Sequence, residues 1–343
     1  MAYTTINKPT DYFEPITFTA SNASSNTVSG MGFQPDLIWW KNREQTYPHF
    51  LYDVIRGNTK QLASNTTGAE ETRDSTYLTS FNSDGFTTGT ALAGDTSDGI
   101  ASWNWKANGA GSANTDGSIS STVSANTTSG FSIVKWTNST SNAGTIGHGL
   151  GVAPKMIIFK TTSAVTNWYV YNKSIGAGNF LEFNGTVGSQ ASANLFDNTE
   201  PTTSVFSTGT NPAFINSTMI AYCFSDVQGY SKFSSYTGNG NADGTFVYTG
   251  FKPAFILSKD VDSAGENWFI QDTTRNTSNP VGAYLRPNLS DAEGSFNHYD
   301  ILSNGFKNLY AGGSMNGSGK KIIYMAFAEA PLVGTNNVPC TAR

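Results

Sequence analysis

Short runs of β-branched and aromatic residues alternate along the whole chain with clusters of Gly, Asn, Ser and Asp. The runs at 128–137, 154–160, 167–173, 179–184 and 217–224 each predict a β-strand, and the clusters between them carry turn chemistry. Helical periodicity is absent apart from a short candidate at 289–293. The pattern predicts an all-β fold, and many short strands with regular turns point to β-sandwich units of jelly-roll or lectin-like type.

The pattern also repeats. An apolar-x-Pro-x-apolar-Ile-x-x-Lys run occurs three times, around Pro35, Pro154 and Pro253, ending on Lys41, Lys160 and Lys259. An aromatic-Thr pair precedes each proline: Phe18-Thr19, Trp136-Thr137 and Tyr236-Thr237. An aromatic stretch follows each (48–56, 167–175, 267–275), and each unit closes on an apolar strand (100–107, 219–226, 321–330). Four landmarks in one order and nearly one spacing identify an internal repeat of roughly 100 residues. In the first unit, Leu37 and Trp39 lie on one face of the core strand, Ile38 and Trp40 on the other. That predicts a central strand covered on both sides.

These landmarks divide the chain into an N-terminal arm (1–11), three sandwich units (12–107, 130–227 and 228–331) and a C-terminal arm (332–343). Residues 108–129, rich in Gly, Ser, Asn and Thr, read as an extended or flexible linker. The short junction between the second and third units predicts that those two pack as a rigid pair.

Composition narrows the function. Of 343 residues only 13% are charged, with 20 Lys+Arg against 25 Asp+Glu, for a net charge of -5. That excludes a strongly basic nucleic-acid binder. Aromatic content of 13% supplies ample apolar surface for a core. The first eleven residues lack a basic segment followed by an apolar one, so no cleaved signal is expected, and no apolar run reaches membrane-spanning length. Asn-x-Ser/Thr triplets such as those at Asn65 and Asn184 read as by-products of a polar surface.

Little catalytic chemistry is legible. His49, His148 and His298 fall in different units without metal-ligand spacing, and Cys223 and Cys340 form neither a metal pair nor a disulfide framework. No nucleophile elbow is present, and the glycines around His148 precede a strand, as a tight turn does. Asp260, Asp262 and Glu266, and separately Asn239, Asn241 and Asp243, offer oxygen ligands for calcium. Neither loop matches the twelve-residue calcium pattern, and ordinary turns use the same residues, so no cofactor is expected. Asp53 and Arg56 sit three residues apart, as do Asp272 and Arg275, whereas the second unit has Asn172 and Ile175. These pairs are either ligand clamps or braces of the fold. Trp40, matched by Phe159 and Ser258, is the aromatic candidate for a surface contact. Trp40, Asp53, Arg56, Asp272 and Arg275 are therefore the candidate binding residues.

The three units, the strands QPDLIWWKNR and APKMIIFK, the segment YTGNGNADGTFVYTGFKPAFIL and the closing IYMAFAEAP together resemble a family of tandem β-domain virion proteins. These are encoded by tailed bacteriophages of marine and other aquatic habitats, cyanophages among them. The resemblance spans nearly the whole chain. It implies a non-enzymatic structural protein made in the host cytoplasm and carried on the virion surface: a head decoration, a knob or a short tail-fibre component. The implied partners are other virion proteins, with homo-oligomeric assembly. The alternative is a receptor-binding adhesin for host surface glycans, with a depolymerase as its enzymatic extreme. Nothing in the sequence points to nucleic acid or to membrane insertion.

Overall fold

The computed structural model describes residues 3–333 except 22, 24, 92–96 and 139–142; most of the C-terminal arm, Cys340 included, lies outside the described residues. The fold is all-β, with antiparallel sheets throughout. The helix candidate at 289–293 is irregular chain instead, because Asp291 and Glu293 are drawn into ion pairs with Arg286, Arg43 and Arg275.

One strand order recurs. In the first unit, Phe13–Thr19 pairs with Gly99–Trp105, followed by Leu37–Asn42, Phe50–Asp53, Lys60–Ala63 and Glu71–Thr72. In the second, Phe131–Asn138, Ser217–Phe224, Met156–Thr161, Trp168–Asn172, Asn179–Glu182 and Gln190–Ala191 follow the same order. In the third, it is Ser231–Thr237, Lys321–Pro331, Phe251–Asp260 and Trp268–Asp272. A smaller sheet accompanies each large one: Asn26–Ser29, Gly85–Thr88 and Leu78–Asn82; then Gly144–Gly147 with Val205–Thr208; then Phe246–Tyr248, Gly305–Asn308, Gly294–Leu302 and Val281–Tyr284.

Residues 108–129 are not a free linker. Ser112–Asn114 and Ser121–Asn126 add two strands to the edge of the second large sheet, where Val123 is buried and pairs with Val134. The low apolar content of this stretch is that of an edge strand with one covered face.

The core strands Leu37–Asn42 and Met156–Thr161 are buried along their whole length, as their two apolar faces predict, and Phe251–Asp260 is buried except at Lys252. One face meets the unit's own smaller sheet: Ile38 and Trp40 pack with Leu78 and Phe86. The other face enters a core shared by all three units, with Trp39, Ile158 and Leu257 among its members. The closing aromatics meet at its centre. Trp105, Phe224 and Phe327, one from each unit, form a triangle with ring centroids 6.3, 6.2 and 5.8 Å apart. The expected pairing of the second and third units is therefore one side of a ring of three. The N-terminal arm joins it: Ile6 is buried in the shared core and Tyr3 donates to the Gly250 carbonyl at 2.8 Å.

Candidate functional site

The candidate residues converge on the junctions between units. The three junctions use one geometry in a head-to-tail cycle, the arrangement by which a heterologous interface closes into a ring. Glu70 N–H of the first unit donates to the Thr162 carbonyl of the second at 2.8 Å. Ser189 N–H of the second donates to Val261 of the third at 2.7 Å, and Glu293 N–H of the third to Arg43 of the first at 2.7 Å. A second ring of contacts runs through the aromatic stretches. Trp168 Nε1 donates to the Ala63 carbonyl at 2.9 Å, and Trp268 Nε1 to Glu182 at 3.0 Å. At the third junction His49 holds the tryptophan's position and faces the Arg286 backbone, beside a bond from Ser64 Oγ to the Pro287 carbonyl at 2.7 Å.

Asp53 and Arg56 lie inside this framework. Arg56 Nε donates to Asp53 Oδ2 at 2.5 Å, and its other nitrogens reach the carbonyls of Leu51 and Lys60 and the Glu70 carboxylate. Both side chains are fully buried. Tyr222 crosses from the second unit and donates to Asp53 Oδ2 at 2.9 Å. Burial pulls the Arg56 guanidinium down, but Asp53, Tyr222 and Glu70 outweigh it and hold the group above its ordinary range. The third unit repeats the arrangement. Arg275 Nε donates to Asp272 at 2.7 Å, its Nη1 to Glu293 at 2.9 Å, and Trp103 of the first unit donates to Asp272 Oδ2 at 2.9 Å. The Arg275 guanidinium also lies over the Trp103 ring, 5.6 Å from its centroid.

The surface-binding role expected for Trp40, Asp53, Arg56, Asp272 and Arg275 is thus corrected: all five are interior. Trp40 is 0% exposed because both faces of its strand are covered. The charged pairs are buried because the neighbouring unit closes over them. The second unit keeps Asn172, Ile175 and Ser189 at the matching positions, and its neighbour presents Met325 where the other junctions have Tyr222 or Trp103. The acid–arginine network and its aromatic donor are absent together.

Two features escaped the sequence reading. The Asn-x-Ser/Thr triplets are structural, since the side chains of Asn65, Asn184 and Asn288 accept the backbone N–H of His49, Trp168 and Trp268 at 3.1, 2.7 and 3.1 Å. Their similar offset from the aromatic stretch, 16 residues in the first two units and 20 in the third, was the available signal. The repeat lysines are buried as well. Lys41 Nζ donates to the carbonyls of Asn42 and Gln45, Lys160 Nζ to Thr161 and Ala164, and Lys259 Nζ to Asp260. Burial lowers each ammonium to about 8.

In the two loops with oxygen ligands, several of those oxygens hold turns, while Asp262 accepts the Lys321 N–H, Glu266 the Ser314 hydroxyl and Asp243 pairs with Lys307. Asp260 Oδ1 accepts the N–H of Asp262 and of Ser263; Asn239 and Asn241 accept the N–H of Asn241 and of Asp243. Among the described residues no three His, Cys, Asp or Glu side chains gather as a metal site, and no helix is long and apolar enough to cross a membrane.

Residues 8–331 match the model of a family described as a domain of unknown function, DUF7483, and the chain belongs to that family. No curated protein and no solved structure matches it.

Proposed function

We propose that this DUF7483 chain is a non-enzymatic structural protein on the outer surface of a tailed-bacteriophage particle, built as three tandem β-sandwich units. The observation that carries the reading is the closed ring. Each acid–arginine pair that the sequence offered for chemistry is spent on joining one unit to the next, within a single shared core. A chain organised this way is a rigid block with near-threefold symmetry, of the kind that a symmetric particle surface accepts in many copies. The low charge and the Asn/Ser/Thr-rich exterior fit a protein that folds in a cytoplasm and works outside it. The resemblance to aquatic phage virion proteins, which spans nearly the whole chain, supplies the particle. Its partners in this reading are capsid or tail proteins and further copies of itself.

The test is mass spectrometry of gradient-purified particles of the phage that encodes the chain. The chain is expected among the virion proteins at a copy number that is a multiple set by particle symmetry. Its absence from intact particles, with presence only in the infected-cell lysate, overturns the proposal.

A further inference from the structure

The third unit differs from the others in what it shows to solvent. Among the described residues five large apolar side chains are strongly exposed, and the three aromatic ones, Phe246, Tyr248 and Phe296, all belong to its smaller sheet. The first unit folds through the same strand order and exposes none among its described residues, so the fold does not require them.

Tyr248 also lines an open cleft of about 470 Å³, between the N-terminal arm and the junction of the second and third units. Its floor is glycine. Gly229 and Gly250 have φ of +76° and +85°, and a Cβ on either would meet the Tyr3 side chain at 3.3 and 2.8 Å. The Tyr3 side chain thus lies against the two glycines, its hydroxyl bound to the Gly250 carbonyl and within reach of the Tyr248 hydroxyl and the Gln228 amide. Asp226 and Lys232 form the opposite wall as an ion pair at 2.8 Å, and Asp226 is fixed by the Phe233 N–H. Ser231 and Thr249 complete the lining.

We propose that this cleft binds a neutral hexopyranose, free or as the terminal residue of a glycan. The half-exposed Tyr248 ring offers a flat apolar face to the C–H face of a sugar. Around it stand one acceptor-only group (Asp226), one donor-only group (Lys232) and groups that do both (Gln228 and the Tyr3 hydroxyl), the complement that ring hydroxyls need. The walls carry one positive and one negative charge, so they do not select a charged ligand. The volume falls within the range of small-molecule sites. The inference stands whether or not the chain is carried on a virion.

The experiment is saturation-transfer NMR on the full chain with glucose, galactose, mannose and N-acetylglucosamine, each at millimolar concentration. At least one sugar is expected to receive saturation, with Tyr248→Ala reducing the transfer at least tenfold and Gln228→Ala weakening it. Phe246→Ala, on the same strand but outside the cleft, leaves it unchanged. Both positions are exposed, so unchanged melting temperatures verify the fold. No transfer to any of the four sugars, or transfer that survives Tyr248→Ala, overturns the proposal.

Discussion

Tyr222 of the second unit donates its phenolic hydrogen to Asp53 of the first, 2.9 Å away and out of contact with water. That bond completes a buried charge network to which Arg56 and Glu70 also belong. The same chain shows how the junction works without it, through Asn172, Ile175, Ser189 and Met325.

Removing one partner of a buried ion pair strands the other, at a cost of about 3–5 kcal/mol. Asp53→Ala is expected to destabilise by that order, measured as a fall in the urea midpoint. The variant that copies the uncharged junction, Asp53→Asn with Arg56→Ile, Glu70→Ser and Tyr222→Met, is expected to lose less than Asp53→Ala alone. A larger loss would mean that the network is required for the ring rather than one of two ways of sealing it.

The three buried lysines give stability a pH dependence of definite sign. Each is lowered from 10.5 to about 8, chiefly by burial. Between those values the unfolded chain binds more protons than the folded one, so stability rises with pH, by up to about 1.4 kcal/mol per pH unit for each lysine. Above pH 10 the slope turns over, because buried tyrosines such as Tyr222 and Tyr230, held well above 10, favour unfolding as their unfolded counterparts ionise. Urea midpoints at pH 7, 8, 9 and 10 are expected to climb, and Lys160→Met to reduce the climb by about a third. A flat or falling profile from pH 8 to 10 contradicts this account.

Cys223 is buried in the second unit's own core, and burial pushes its thiol well above the ordinary value. A thiol held protonated and away from solvent does not react. Peptide mapping after alkylation is expected to find Cys223 unmodified in the folded chain and modified in 6 M guanidinium chloride (a concentration of about the usual strength for unfolding). Rapid labelling of the native protein would show that the core opens locally.

The landmarks read from the sequence are the parts of the structure that carry it. The closing aromatics became the central triangle of Trp105, Phe224 and Phe327. The two-faced apolar core strands became strands between two hydrophobic layers. What the linear pattern did not reveal was the cycle. Whether Asp53 meets water or Tyr222 depends on a partner 169 residues away, and no local spacing encodes that distance. For the same reason charged pairs at three-residue spacing resembled surface clamps. The strands within 108–129 were missed because a strand near the sheet edge with one covered face needs only a Val123 and a few small neighbours.

The cleft beside Tyr248 was equally invisible, since its walls come from the N-terminal arm, the turn at Gln228 and the strand Phe246–Tyr248. Exposure decided there what residue type alone did not. All seven tryptophans are buried, while the solvent-facing aromatics are a tyrosine and two phenylalanines.

The central claim, that this block belongs to the exterior of a phage particle, is tested most directly by labelling intact purified virions with antibody to the folded chain and imaging them by electron microscopy. Label at regular positions on the outside of the head or tail is the predicted result. Virions that carry no label, while the same antibody captures the chain from the infected-cell lysate, would contradict it.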